Sequence, residues 1–156
     1  MVGRRHSSLH RVAACYRSGT MIPANPTDFG TRYTAAWCSQ DAASVAQFYA
    51  PNGSLAINGG APAVGCEAIA GSAQSFMTAF PDLVVSMDGI DLHEARVVYW
   101  WTLTGTNTGP GGTGHPVRIS GREEWQFGAD GLVAESLGFF DSAEYDRQLA
   151  GKPLIG

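Results

Sequence analysis

Nine consecutive residues, Ile119-Ser-Gly-Arg-Glu-Glu-Trp-Gln-Phe127, alternate with period two. Such alternation belongs to a β-strand with one buried face. One set of side chains is Ile119, Gly121, Glu123, Trp125 and Phe127; the other, Ser120, Arg122, Glu124 and Gln126, is wholly polar. The first set is expected inside, and it carries Glu123. A carboxylate taken out of water needs partners, a proton or a task. Gly121 has no side chain and is expected to leave room beside that carboxyl. A carboxyl facing open space among aromatic walls suits proton transfer. A Glu held by a buried Arg or Tyr as a structural polar core fits the strand equally well.

The 156 residues are enough for one domain with a substantial core. Formal charge is uneven. Residues 1–26 hold four Arg and no acid, whereas residues 27–156 hold six Lys/Arg against fourteen Asp/Glu, a charge of −8. A body that acidic argues against nucleic acid as a partner. No apolar run approaches the roughly 18 residues of a membrane helix, so no membrane partner is expected. Cys15, Cys38 and Cys66 are odd in number and irregularly spaced. They read as free, mostly buried thiols in a reducing, cytoplasmic setting, not as a disulfide framework or a zinc pattern. His6, His10, His93 and His115 show no ligand spacing either, so no metal is expected.

Residues 1–26 read as an Arg-rich N-terminal extension, and residues 27–156 as a single domain. The extension superficially resembles a transit peptide. It contains a candidate short helix at Val12–Tyr16 and an alternative start at Met21. Thr27-Asp28 is expected to cap a helix whose face is Phe29, Tyr33, Ala36 and Trp37. A second helix is expected from Asp41, with Val45, Phe48 and Tyr49 on one face and Pro51-Asn52-Gly53 closing it. Leu55 and Ile57 suggest a short strand. A third helix after Gly65 carries Ile69, Ala73, Phe76, Met77 and Phe80, and Pro81 ends it. Strands are expected from Leu83 to Leu92 and from Ala95 to Thr106. A mobile Gly-rich connection follows to Pro116, then the alternating strand, a turn at Ala129-Asp130-Gly131, and a last strand from Leu132 to Phe140. Asp141 with Glu144 reads as a capping box for a final short helix. Three helices followed by four long antiparallel strands is an α+β design. A strongly curved sheet folded around the helices would form a conical barrel with a central pocket.

Three blocks resemble SnoaL-like polyketide cyclases of the nuclear-transport-factor-2-like superfamily. They are Phe80-Pro81-Asp82-Leu83, Trp101-Thr-Leu-Thr-Gly-Thr-Asn-Thr-Gly109, and Ser120-Gly121-Arg-Glu-Glu-Trp125 with Asp130-Gly131-Leu-Val-Ala-Glu135. The resemblance spans about Arg32 to Gly151. It implies a conical α+β barrel with a deep apolar pocket, paired as a homodimer through the sheet. It also implies ring closure by intramolecular aldol condensation without cofactor or metal, with one acid as general acid/base. By position that acid is Glu123. The family has Asp there, and a methylene more moves the carboxyl by about 1.5 Å. Asn107 stands where relatives often carry His.

Glu123 is therefore the candidate catalytic residue. Tyr33, Trp37, Met77, Phe80, Trp101, Leu103, Asn107 and Trp125 are the candidate ligand-binding residues. The expected partner is a small hydrophobic carbonyl compound, with no cofactor. A non-catalytic carrier of a small hydrophobic ligand is the alternative. A second alternative uses Arg122 and Glu124. Limonene-1,2-epoxide hydrolase, a superfamily relative, activates water with an Asp-Arg-Asp set, which here would require the polar face of the strand to point inward. Val98 and Trp100 form an apolar outer set that a dimer would cover.

Overall fold

The computed structural model describes residues 22–152. Nearly all of the N-terminal extension, with Cys15, His6, His10 and the candidate Val12–Tyr16 helix, lies outside the described residues.

Among the described residues four helices, α1 (Pro26–Cys38), α2 (Ala42–Ala46), α3 (Cys66–Ala79) and α4 (Ser142–Leu149), accompany six strands. The strands are β1 (Tyr49–Ile57), β2 (Ala63–Val64), β3 (Val84–His93), β4 (Arg96–Thr106), β5 (Pro116–Phe127) and β6 (Val133–Phe140). They form one sheet in the order β2-β1-β6-β5-β4-β3. β1 and β6 run parallel, and every other pair is antiparallel. Register shifts interrupt β1 between Tyr49 and Ser54, β3 between Met87 and Gly89, and the β5–β6 pair between Gln126 and Phe127. Bulges sharpen local twist and bend. The result is the expected α+β cone, a curved sheet with helices against its inner side.

α1 begins two to three residues earlier than Thr27-Asp28 suggests, with Asn25 as its cap. The Asn25 side chain accepts from the Asp28 amide at 2.9 Å, and Pro26 takes the first helical position, where a missing N–H costs nothing. Phe29, Tyr33, Ala36 and Trp37 are buried on its inner face. Gly30 lets the helix settle on β3, since a Cβ there would meet Met87 Sδ at 2.8 Å. At the far end the Cys38 Sγ accepts from the Val85 amide at 3.3 Å.

Several local expectations are corrected. Pro51-Asn52-Gly53 does not close a helix: α2 stops at Ala46, and the tripeptide lies within β1, across its register shift. Three turn-formers read as a terminator, but an irregular strand tolerates them as well. The short strand expected at Leu55–Ile57 is thus nine residues long and joins the main sheet. Cys38 and Cys66 are exposed, not buried. The Asp141 cap forms, accepting from the Glu144 amide at 3.0 Å, but Glu144 itself turns to Arg147 and Gln148, so the box is half made. The Gly-rich connection, expected to be mobile, is fastened through Asn107. Its Nδ2 donates to Ala79 O at 3.1 Å, its Oδ1 accepts from the Thr113 amide at 2.8 Å, and its amide donates to His115 O.

α3 buries Ile69, Ala73 and Met77 in the core. α4 locks to β5 through Gln148, which accepts from the Arg118 amide and donates to the Arg118 carbonyl.

Candidate active site

The inner row of β5 sits as its alternation predicts. Ile119, Glu123, Trp125 and Phe127 are buried, with Glu123 8% exposed. In the sheet Glu123 stands between Tyr99 of β4 and Gly138 of β6. Among the described residues its carboxylate meets no cation but several donors. Ser136 Oγ donates to Oε1 at 2.7 Å, Trp125 Nε1 at 2.9 Å and the Tyr33 hydroxyl at 3.0 Å. The Tyr49 hydroxyl lies 2.9 Å from that of Tyr33 and 3.3 Å from Oε1, so its one proton serves one or the other. Oε2 receives only the longer Tyr33 contact, 3.2 Å, among the described residues. The two oxygens are thus unequal: Oε1 is saturated and Oε2 keeps free lone pairs.

Burial pushes the Glu123 pKa above the ordinary glutamate range. The four donors, Trp125, Ser136, Tyr33 and Tyr49, pull it back, because hydrogen bonds to a carboxylate favour its charged form. The net direction is upward. Burial, followed by the nearby Glu123 charge, holds the Tyr33 and Tyr49 phenols well above their usual range. Both therefore stay protonated and remain donors.

A cavity of about 60 Å³ opens in front of this row. Its wall is apolar and strongly aromatic: Trp37, Phe76, Tyr99, Trp101, Phe139 and Phe140, with Leu55, Ile57, Val85, Leu103, Ile119 and Gly138. Glu123 is the one carboxylate in that wall among the described residues. Tyr99 stacks on Trp125, centroids 4.8 Å apart, and its hydroxyl is tied to Thr34 Oγ1 at 2.5 Å. The indole N–H of Trp101 is buried and has no acceptor among the described residues. Gly121 does not supply the free space expected of it. A Cβ there would lie 2.6 Å from Trp101 Cζ2 and 2.3 Å from the Phe139 carbonyl. Its missing side chain makes room for Trp101, and the gap beside the carboxyl lies over Gly138 instead.

Of the candidate ligand-binding residues, Trp37, Trp101 and Leu103 line this cavity. Tyr33 and Trp125 stand behind the carboxylate as its donors. Met77 and Phe80 belong to the packed core and are not in the wall. Asn107 is occupied with the Gly-rich connection. Sequence reasoning missed Ser136 and the role of Tyr49. Ser136 carried a signal, since Ser136, Gly138 and Phe140 form a period-two row of β6, although two small residues make a faint one. Tyr49 was read as part of a helix face.

Arg122 and Glu124 point to the other side of the sheet and pair with each other, Nε to Oε2 at 2.9 Å. Arg122 also lies 4.5 Å over the Phe139 ring and 6.0 Å over Trp100. A wider recess of about 650 Å³ runs along this outer face. Because the apolar set of β5 takes the interior, an epoxide hydrolase-like site built on Arg122 and Glu124 inside the cone is ruled out by the strand's orientation. Among the described residues, no group of three His, Cys, Asp or Glu side chains converges as a metal would need. No described helix is long and apolar enough to cross a membrane.

A curved sheet closed by helices over a small aromatic cavity defines the nuclear-transport-factor-2-like cone. Solved structures share it. AclR of Streptomyces galilaeus, a proposed hydroxylase, superposes with a TM-score of 0.71 at 24% identity, covering 85% of each chain. A protein of ketosteroid isomerase-like fold from Catenulispora acidiphila, in complex with trimethylamine, gives 0.69 at 16% identity over 85% of this chain and 96% of that one. A proposed SnoaL-like polyketide cyclase of Jannaschia sp. CCS1 gives 0.64 at 17% identity over 81% and 94%. Comparison with curated proteins finds no match. The SnoaL-like domain model matches residues 31–136, and the chain belongs to that family.

Proposed function

We propose that this chain is a cofactor-free enzyme working by general acid/base chemistry on a small hydrophobic carbonyl compound, as an aldol cyclisation or an isomerisation. One observation carries the reading. Glu123 is a desolvated carboxylate with one oxygen saturated by Ser136, Trp125 and Tyr33 and the other holding only the longer Tyr33 contact, in the wall of an apolar cavity. Oε2 takes a proton from the carbon next to the carbonyl, and the electron pair moves toward the carbonyl oxygen. Glu123, now neutral, returns the proton to oxygen or to another carbon.

The test is α-proton exchange of acetone in D₂O, followed by NMR. Wild type should accelerate exchange, and Glu123→Gln should lose on the order of 100-fold or more of that rate. Equal rates for the two proteins would end the proposal.

A second reading has its own observation. Six aromatic rings around one carboxylate is also the make-up of a site for a small organic cation, and the Catenulispora neighbour was solved with trimethylamine. Here the protein binds and does not turn over. Trimethylammonium binding that is lost in Glu123→Gln, with no exchange activity in wild type, would favour it. We also propose a homodimer through the outer face, where Trp100 is 39% exposed beside Val98. Sedimentation at micromolar concentration should give a dimer, and a monomer would contradict it.

A further inference from the structure

We propose that Gly138 is the specificity-determining position of the cavity, kept without a side chain so that a ligand of only a few heavy atoms lies against the β6 backbone beside Glu123. This inference deepens the reading of that cavity as a ligand site.

Two glycines flank Glu123 on the inner face, and they differ in kind. At Gly121 a Cβ collides with the Phe139 carbonyl and the Trp101 ring, so the fold itself requires glycine. At Gly138 a Cβ would lie 3.6 Å from Ala56 O, 3.8 Å from Glu123 Cγ and 3.9 Å from Ile57 Cγ1, all ordinary contact distances. Gly138 is not among the residues of positive φ. It sits inside a regular stretch of β6, in register with Glu123 on one side and Ile57 on the other. No turn, bulge or close packing asks for glycine there. Glycine inside a strand weakens it, and where no bulge is present it marks a place where something else approaches the backbone. What adjoins it here is the cavity. At about 30 Å³ for each water, 60 Å³ holds about two waters, or a ligand of only a few heavy atoms. In this conformation a polycyclic substrate has no room, and one methyl group at 138 removes much of what there is.

Xenon is the probe, because it reads an apolar volume and not an acid. Wild type and Glu123→Gln should both bind xenon, followed by ¹²⁹Xe NMR. Gly138→Ala should weaken xenon about tenfold or more, while its Tm equals or exceeds that of wild type. In the acetone exchange assay Gly138→Ala should raise KM more than it lowers kcat. Unchanged xenon binding in Gly138→Ala overturns the inference, as does wild type that takes up no xenon. A Gly138→Ala variant that loses stability or fails to fold also overturns it, since the glycine would then be structural. Xenon results as expected, with no exchange activity in wild type, would leave the inference standing and remove the enzymatic reading alone.

Discussion

Glu123 and Glu124 are chain neighbours on opposite faces of β5. Glu124 is paired with Arg122 on the outer face and remains partly in water. Glu123 is inside, has no cation, and rests on neutral donors from α1, β1, β5 and β6. The pair shows two ways of keeping a carboxylate in a sheet. An ion pair with solvent access costs little and does little, because exposed pairs contribute about 0–1 kcal/mol. A buried carboxylate satisfied only by hydroxyl and indole groups keeps its basicity, since no described cation offsets its charge. Only the second arrangement stores reactivity.

The largest expected effect comes from deleting each acid in turn. Glu123→Ala leaves Tyr33, Trp125 and Ser136 donors unpaired in the core. At about 1–3 kcal/mol for each buried donor, it should destabilise the fold by on the order of 3 kcal/mol or more. Glu124→Ala should cost about 1 kcal/mol or less. Urea denaturation of the two variants measures the gap, and equal losses would break the contrast.

Ser136→Ala comes next. It removes the shortest hydrogen bond to Oε1, so stability should fall by roughly 1–3 kcal/mol. The Glu123 pKa should also move further up, because a group that favours the charged form is gone. A downward shift would mean that Ser136 does not stabilise the carboxylate.

The pH dependence of stability sharpens the comparison further. Glu123 binds its proton more tightly in the folded protein than in the unfolded chain. Its contribution is fully present below the unfolded value, about 4.3, and is lost as pH rises through the raised folded value. The stability difference between wild type and Glu123→Gln should therefore drift against wild type as pH climbs through that window. The smallest effect is that of Arg122→Ala, which removes the outer ion pair and the ring contact with Phe139. About 1 kcal/mol or less is expected, with exchange activity intact.

The sequence made the contrast between the two acids legible because period two is strict from Ile119 to Phe127. Helix faces were equally clear: Phe29, Tyr33, Ala36 and Trp37 are buried as their spacing predicts. What surrounds Glu123 was less legible, for physical reasons. Tyr49 and Ser136 reach it from strands 74 and 13 residues away in the chain, and pairing across a sheet leaves no local trace. β1 hid behind Pro51-Asn52-Gly53, whose turn chemistry outweighed its strand register. The glycines were the subtlest point. Gly121 and Gly138 look alike as letters, and only the surrounding atoms separate the one that packing requires from the one that leaves space.

The most direct measurement is a carboxyl ¹³C NMR titration of Glu123, assigned by its disappearance in Glu123→Gln. The account predicts a midpoint clearly above the ordinary glutamate value of about 4.3, moving further up in Ser136→Ala. A midpoint at or below that value would mean the donors outweigh burial. Glu123 would then be a structural anchor and not the base of an active site.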